Sequence, residues 1–362
     1  MYSHYTTLNI NLRVDEDANS FPTFTLPKNV GVYSVSREGQ FENFNSRMRF
    51  FEPSVTCPFS LRPTENLSPD TDIDLTDNES YLDTLLLFLT SSKERYQMTL
   101  DADIICSRDV LVLLMCTPYH SNKKWSIAIS RYRNTIYMCQ VPDEEEIQSF
   151  DLEHMKKLMK NTWLKKLRHH CLVLDAIEMY EQREESGQLI GVFTMGCDGL
   201  RLLFDAPVIA EKPNQQFTGR PLSFVDLQLR SDTMSAAEWK AHYRNEASLW
   251  WAQCFLIGIK TLYLALHDRE LIVHRINSIK PEVLHRESND WSGNVSGNFL
   301  SRFLKIIKQL MASVDSANCV YILEFDPAKA KFVYKVAMER NEHTFIPDWY
   351  RKQCHGLMDH RN

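Results

Sequence analysis

The sequence predicts one α/β (α+β) domain, in which mixed, largely antiparallel twisted sheets are covered by packed helices. Short apolar runs grouped in pairs around polar turns indicate hairpins. Longer segments repeat apolar residues every three or four positions, as amphipathic helices do. No internal repeat or long linker divides the 362 residues. We expect this domain to span residues 21–352, after an N-terminal edge strand or tail (1–20) and before a C-terminal tail (353–362).

In the N-terminal half, Leu8–Leu12 alternates as an edge strand would, although a frayed tail is an open alternative. Residues 53–80 are rich in Pro, Ser, Thr and Asp and predict a surface loop before a helix that begins near Tyr81. The pattern from Ile104 to Val141 is β throughout. Its predicted parts are a strand at Val110–Leu114 and a hairpin with arms Trp125–Ile129 and Thr135–Met138 that turns at Arg133-Asn134.

In the C-terminal half, a predicted helix over 152–182 is followed by strands at Leu189–Thr194 and Leu200–Phe204. A strand over 222–229 then leads to a long helix, which Ser235 and Glu238 open as a capping box. The remaining predicted elements are a hairpin over Thr261–Ile276, a helix over Asn298–Ser313 and a hairpin over Val320–Val336.

Charge and cysteine content restrict the classes of function. A formal net charge of -6 gives the whole chain no attraction for nucleic acid, so RNA binding would need a local basic surface. The nine cysteines are scattered without a C-x-x-C pair, which is typical of reduced thiols and not of a disulfide framework or zinc site. No secretory signal is recognisable, and no apolar run approaches the roughly 18 residues of a membrane span. We therefore expect an intracellular protein without a membrane partner.

The predicted helix over 152–182 carries the markedly basic segment, which comprises Lys156, Lys157, Lys160, Lys165, Lys166, Arg168, His169 and His170. Such a face is often only solvated, and we adopt that interpretation for Lys156 and Lys157. Trp250 and Trp251 lie among apolar neighbours, so core packing is favoured over base stacking. No G-x-S-x-G, P-loop or G-x-G-x-x-G motif is present.

Several short motifs together resemble the DXO/Rai-type RNA decapping nucleases. They are Val30-Gly31-Val32-Tyr33-Ser34, Thr117-Pro118-Tyr119, Trp125-Ser126-Ile127-Ala128, Trp250-Trp251-Ala252-Gln253 and Phe345-Ile346-Pro347-Asp348-Trp349-Tyr350. The resemblance covers nearly the whole chain and implies a decapping-nuclease-like single domain. It also implies hydrolysis at RNA 5′ ends with Mg²⁺ or Mn²⁺, because clustered carboxylates hold such hard cations.

The acidic centre of that family is incomplete in this sequence. A helical Gly-Tyr-Lys-Phe-Glu motif falls near Thr162–Lys166, where Lys166 or a basic neighbour replaces the acid. A Gly-Glu-x-Asp motif matches Met195–Asp198, in which Gly196 has replaced the glutamate and Asp198 remains. A Glu-x-Lys motif matches Asp226-Leu227-Gln228, so the acid is shortened and Gln228 is neutral. Two of four expected carboxylates are therefore missing.

We expect no catalytic residue and no metal cofactor from this set, although Asp198 and Asp226 are weak residual candidates for a metal. Asp175 or Glu178 is a less favoured substitute acid. The resemblance assigns RNA binding to Arg108, Lys165, Lys166 and Gln253. For Arg108 a salt bridge to Asp109 or Asp103 is an equally favoured alternative, and for Gln253 a purely helical role is slightly preferred.

Within the family, the sequence most resembles an insect germline member with a degenerate acidic centre. That resemblance implies a catalytically inactive nuclear protein that binds or shields RNA 5′ ends. It would protect nascent piRNA-precursor transcripts from decapping, termination and processing, beside chromatin proteins of the Rhino and Deadlock type. Two alternatives stay open: a protein-interaction scaffold with a vestigial pocket, and a weakened metal-dependent RNA 5′-end hydrolase.

Overall fold

The computed structural model describes residues 3, 5–10, 12, 18–36, 38–43, 48–52, 55–62, 82–120, 122–142, 152–174, 187–212, 222–287 and 289–359. Its helices are α1 (Asp83–Thr90), α2 (Lys93–Asp101), α3 (Arg108–Cys116), α4 (Leu152–Cys171), α5 (Ala236–His242), α6 (Ser248–Ile257), α7 (Glu282–Arg286), α8 (Gly293–Leu310) and α9 (Asp348–Asp359). Its strands are β1 (Thr6–Leu8), β2 (Lys28–Ser36), β3 (Phe41–Glu42), β4 (Arg49–Phe51), β5 (Phe59–Ser60), β6 (Ile104–Ser107), β7 (Trp125–Tyr132), β8 (Thr135–Val141), β9 (Leu172–Leu174), β10 (Gly187–Cys197), β11 (Leu200–Val208), β12 (Ala210–Glu211), β13 (Phe224–Ser231), β14 (Leu262–His267), β15 (Ile272–Ile279), β16 (Ser316–Asp326) and β17 (Lys331–Ala337).

The strands form two sheets. One has the order β1-β17-β16-β7-β8-β6-β11-β10-β2-β3 and the other the order β5-β15-β14-β13-β12-β4-β9. Most neighbours are antiparallel, and the pairs β6–β8, β6–β11, β4–β12 and β13–β14 are parallel. The predicted fold class, with mixed and largely antiparallel sheets, is confirmed.

The chain passes from one sheet to the other at Ile209. This residue separates β11, in the ten-stranded sheet, from β12, in the seven-stranded sheet. Helix α6 belongs to the apolar layer near this crossing, where Trp250 and Trp251 are buried as predicted. Helix α8 contributes Phe299 and Phe303, both fully buried, to the same core cluster. The crossing therefore lies where both sheets and several helices approach one another.

Local turn and cap chemistry explains the elements that the sequence predicts well. Arg133 and Asn134 join β7 to β8 with φ of 53° and 66°. Two successive residues with positive φ are typical of a tight two-residue hairpin turn. Ser235 accepts from the Glu238 amide while Glu238 accepts from the Ser235 amide, so the predicted capping box opens α5. The hairpins β14–β15 and β16–β17 also form as predicted.

Four predicted elements differ in the structure. Val110–Leu114 is part of α3 and not a strand, because a helix buried on most sides has the same continuous apolar run as a buried strand. The helix predicted over 152–182 ends at Cys171, and β9 follows directly. The long helix after β13 is interrupted by a π-helical turn at Tyr243–Ala247. The predicted C-terminal tail continues α9 to Asp359, with Cys354 buried.

At the N-terminus, β1 pairs with β17 at the edge of the ten-stranded sheet, slightly earlier than the predicted Leu8–Leu12 stretch. Across the part of the chain that is described, the helices lack the combination of length and apolar character that a bilayer crossing requires.

Candidate functional site

A cavity of about 180 Å³ lies beside the crossing between the sheets. Four residues singled out in the sequence line it: Arg108, Asp226, Gln228 and Gln253. They come from α3, β13 and α6, which are far apart along the chain, so the cavity exists only in the folded protein. The other lining residues are Arg49, Arg168, Leu172, Gly187, Gln188, Leu189, Pro207, Val208, Ile209, Val225, Ile257 and Ile259.

Arg108 is the first residue of α3, and its side chain is 11% exposed. Its guanidinium lies 3.3 Å from Asp109 Oδ1 and donates to the Pro207 carbonyl at 3.5 Å. The salt bridge considered as an alternative is thus present, but these contacts are long and leave the guanidinium at the cavity wall. The amino end of α3 adds partial positive charge at the same place.

Asp226 is 6% exposed on β13, and both of its carboxylate oxygens accept hydrogen bonds. Oδ1 accepts from the Leu227 amide at 2.8 Å, and Oδ2 accepts from Gln228 Nε2 at 3.0 Å. Burial, and then the charge of Asp226, raises the pKa of the Cys254 thiol well above its ordinary value, while Arg108 opposes this. The carboxylate of Asp226, which is shorter than the expected glutamate, is therefore hydrogen-bonded by the neutral side chain of Gln228.

On α4, the residue that lines the cavity is Arg168, two positions beyond Lys166. Lys166 Nζ instead donates to the backbone carbonyl of Arg62, and Lys165 is exposed on the outer surface of the helix. Arg168 is thus a basic neighbour of Lys166 of the kind that the sequence predicts in place of the acid. Arg49 on β4 was not singled out, because a lone arginine on a three-residue strand carries no recognisable signal.

Gly196 and Asp198 lie at the opposite end of the β10–β11 hairpin from the cavity. Asp198 accepts from Ser301 Oγ at 2.6 Å and pairs with Lys305 Nζ at 2.8 Å. Burial alone would raise the pKa of Asp198, but Lys305 and Ser301 outweigh burial and lower it. The cavity borders Leu189, and eight residues of extended strand separate Leu189 from Cys197, which is about 26 Å. The structure thus separates Asp198 from Asp226, and one ion cannot contact both.

The strand end that does reach the cavity carries Ala206-Pro207-Val208-Ile209. Val208 is buried, while Pro207 and Ile209 are partly exposed on either side of it. The hairpin end that borders the cavity thus presents Pro207, Val208 and Ile209 and no acid, whereas the predicted Gly-Glu-x-Asp match at Met195–Asp198 lies at the other end.

The donor set around the cavity does not fit a divalent metal. Its lining contains three arginines, Arg49, Arg108 and Arg168, and one carboxylate, Asp226, which already accepts two hydrogen bonds. Mg²⁺ and Mn²⁺ need several converging oxygens, and nearby cations repel them. Among the described residues, no group of three or more His, Cys, Asp or Glu side chains is placed to hold a metal ion. The arrangement instead suits an anion, because guanidinium groups bind phosphate oxygens directly.

A carboxyl lies behind the cavity wall on the same strand as Pro207. Asp205 Oδ2 accepts from the buried Tyr33 hydroxyl at 2.6 Å. Burial raises the pKa of Asp205 to about 6, against the hydrogen bond from Tyr33 and the charge of Arg108. Neither the composition of the sequence nor the spacing of its residues indicates that Tyr33 and Asp205 form a pair.

Asp175 and Glu178, the less favoured substitute acids, lie outside the described residues, as do positions 63–80 of the predicted surface loop.

Comparison with known proteins agrees with the fold. The family model described as RAI1 like PD-(D/E)XK nuclease matches residues 25–351. The chain is 37% identical over 380 residues to "Protein cutoff" of Drosophila melanogaster, and the match covers 100% of this chain and 96% of that protein. It is 25% identical over 352 residues to the "Decapping and exoribonuclease protein Rai1" of the same species, covering 91% and 92%.

Solved structures share the fold of this chain at lower sequence identity. Scheffersomyces stipitis Rai1 in complex with (3′-NADP)+ and calcium ion superposes with a TM-score of 0.76 at 16% identity, covering 97% of this chain and 100% of that one. Candida albicans Rai1 in complex with pU5-Mn²⁺ gives 0.74 at 12% identity, covering 98% and 100%. Because the family model spans most of the sequence and a full-length relative shares more than a third of its residues, the chain belongs to the RAI1 like PD-(D/E)XK nuclease family.

Proposed function

We propose that this protein holds phosphate-bearing RNA 5′ ends in the cavity through arginine, without a metal and without cleaving them. The observation that carries the proposal is the composition of the cavity wall, with three arginines and one carboxylate. A pocket that binds a divalent metal would instead be lined mainly by carboxylates, with few cationic side chains. Guanidinium groups neutralise phosphate directly, so the pocket can keep an end-binding role after losing its metal ligands.

Each polar residue of the cavity has a defined part in this proposal. Arg108 and Arg168 approach from different helices and offer planar donor forks to one phosphate group. Gln253 adds an uncharged amide from α6, and the amino end of α3 adds partial positive charge. Lys165 is exposed on α4 and contributes to the surface that the RNA meets outside the cavity. The local basic surface, and not the net charge, would attract the RNA.

The test compares RNAs of one sequence with a 5′ hydroxyl, monophosphate, triphosphate or cap. Each is incubated with Mg²⁺, with Mn²⁺ or with EDTA, and resolved on native and denaturing gels. We expect a complex that requires a phosphate at the 5′ end, survives EDTA and yields no product. Equal affinity for hydroxyl and monophosphate ends would refute the proposal. Metal-dependent product that disappears in Asp226→Ala would instead identify a weakened hydrolase.

Variants locate the binding in the cavity. Arg108→Glu should abolish end binding while the circular dichroism spectrum and melting temperature stay near those of the wild type. Arg168→Gln should weaken it by about tenfold, as expected when a charge-assisted hydrogen bond is lost. His169→Gln is the matched control, because His169 is exposed on the same helix and does not line the cavity.

In the cell, we propose a nuclear germline role in which this binding shields nascent piRNA-precursor transcripts from decapping, termination and processing. Similarity to "Protein cutoff" supports this biological setting, and the partners would be chromatin proteins of the Rhino and Deadlock type. Imaging of a tagged protein in germ cells tests the location. Sequencing of precursor 5′ ends tests the shielding, because Arg108→Glu should lose the protected ends without changing protein level.

A scaffold role is the second candidate, and one surface favours it. Met155, Leu158 and Met159 are 40%, 44% and 48% exposed on α4, at the i, i+3 and i+4 spacing of one helix face. Large apolar side chains grouped in this way commonly mark protein-binding surfaces. Indifference to RNA, together with stable partner binding that Leu158→Glu abolishes, would support the scaffold and contradict end binding.

A further inference from the structure

Two helices that line the cavity are also joined by an ion pair remote from it. Lys160 on α4 contacts Glu246 Oε1, and His242 Nδ1 lies 2.8 Å from Glu246 Oε2. Glu246 belongs to the π-helical turn between α5 and α6, and the His242 side chain is 3% exposed. Both oxygens of one carboxylate are therefore occupied by groups from two different helices.

An aromatic ring closes this cluster. The Lys160 ammonium lies 5.6 Å from the centre of the Trp250 ring, and the His242 ring lies 5.1 Å from it. Trp250 is 3% exposed on α6. Burial alone would raise the pKa of Glu246, but the hydrogen bond with His242 and the charge of Lys160 lower it to about 2. The carboxylate stays charged, and the contact persists across the physiological pH range.

Both helices connect this cluster to the cavity wall over a similar length of chain. Arg168 follows Lys160 by eight residues on α4, about 12 Å at the usual helical rise. Gln253 follows Glu246 by seven residues, about 10 Å along α6. Both Arg168 and Gln253 line the cavity. The helices thus contact each other at Lys160 and both border the cavity further along, so the contact at Lys160 can set their separation across the cavity.

The π-helical turn determines the angular position of Gln253. A π turn inserts one residue into a helix, which rotates everything after it relative to what precedes it. Here the turn spans Tyr243–Ala247, directly between the cluster and α6. Such turns are frequent at functional sites. Fixing Glu246 within the turn therefore fixes the direction in which α6 presents Gln253.

We propose that Lys160, Glu246 and His242 form a brace that sets the spacing and orientation of Arg168 and Gln253 across the cavity. The three are positioning residues, since none of them lines the cavity itself. The inference rests on the proposed function. It makes the affinity for a phosphate-bearing RNA end depend on the contact between Lys160 and Glu246, which lies about two helical turns from Arg168 and Gln253.

The test uses Lys160→Met and Glu246→Gln, with Lys157→Met as matched control and Lys160→Arg as conservative rescue. Lys157 is exposed on the same helix, so its loss removes equal charge without touching the brace. Affinity for a 5′-monophosphate RNA is measured well below the melting temperature of each variant. We expect about threefold to tenfold weaker binding in Lys160→Met and Glu246→Gln, the range of coupling through packed elements. Lys157→Met and Lys160→Arg should bind like the wild type.

Two further readouts separate positioning from lost stability or lost charge. The double variant should be no weaker than the worse single variant, because both substitutions break one contact. Amide hydrogen exchange should become faster in 163–171 and in 250–257 together. Wild-type affinity in both single variants, or unchanged exchange in these segments, would overturn the brace. If the wild type itself ignored the 5′ end, the proposed function would fail, and hydrogen exchange alone would decide whether the brace exists.

Discussion

Replacing Asp226 with asparagine separates an arginine pocket from a metal site, because the two predict effects of opposite sign. If Asp226 held a metal, Asp226→Asn would weaken or abolish ligand binding. In an arginine-lined cavity, the carboxylate is the one negative charge among the lining side chains and repels a bound phosphate. Its removal should therefore tighten the binding of an RNA 5′ phosphate.

The size of the effect follows from the size of the cavity. Treated as a sphere, the 180 Å³ open to the centre of a water-sized molecule has a radius of about 3.5 Å. Adding the radii of that molecule and of a wall atom, about 3 Å together, places a central phosphate about 7 Å from the carboxylate carbon of Asp226. At an effective dielectric constant of about 20, two unit charges at that distance repel by about 2 kcal/mol. The predicted gain in affinity is therefore about thirtyfold at low salt, and it should shrink as added salt screens the charges.

The fold should tolerate this substitution. Asparagine keeps an oxygen for the Leu227 amide, and the Gln228 amide can turn over to accept from the new NH₂ group. We expect the free energy of unfolding to change by no more than about 1 kcal/mol.

Fluorescence anisotropy of a labelled 5′-monophosphate RNA in EDTA measures the affinity, and urea denaturation measures the stability. Asp198→Asn is the control, because it removes the same charge at the far end of the β10–β11 hairpin and should leave the affinity unchanged. Weaker binding by Asp226→Asn than by the wild type would refute the arginine-pocket account.

Three further predictions concern stability. Burial raises the pKa of Asp205 to about 6, so ionisation of this carboxyl opposes folding. Asp205→Asn should therefore raise the free energy of unfolding at pH 8. Urea titrations at each pH should show that this gain vanishes below about pH 4, where the carboxyl is protonated in both the folded and the unfolded chain. Ser235→Ala removes one half of the α5 capping box and should cost about 1 kcal/mol, seen as a lower urea midpoint with an unchanged slope. Phe299→Ala empties a fully buried position on α8 and should cost about 3–5 kcal/mol, measured by the same denaturation.

Much of the fold could be predicted because its signals are local. The turn at Arg133-Asn134 and the cap at Ser235 depend on neighbouring residues only, and both form as predicted. Val110–Leu114 is different, since an apolar run satisfies a buried helix and a buried strand equally. Tertiary contacts decide between them, and here α3 packs against α6 and α8.

The candidate site could be predicted only in part, for a related reason. Asp226 and Gln253 stand in short motifs, Arg108 is assigned through the resemblance as a whole, and the structure brings the three together. The predictions for Lys166 and Asp198 depend on incomplete motifs, since the first motif has no acid near Thr162–Lys166 and the second keeps only Asp198. When the acids of a motif are replaced, few local features mark its register, so the sequence alone does not decide which residue of a helix or which end of a hairpin faces the cavity.

The crossing between the two sheets limits how mutation can change the chemistry of the cavity. Placing acids at positions 168, 207 and 209, which border the cavity beside Asp226, would require arginine, proline and isoleucine codons each to change at more than one nucleotide. An intermediate with a single new carboxylate among the arginines would lose anion affinity before it could hold a cation. If the cavity binds phosphate as proposed, a change towards a metal site at this crossing would therefore need several substitutions, and the first of them would already reduce phosphate affinity.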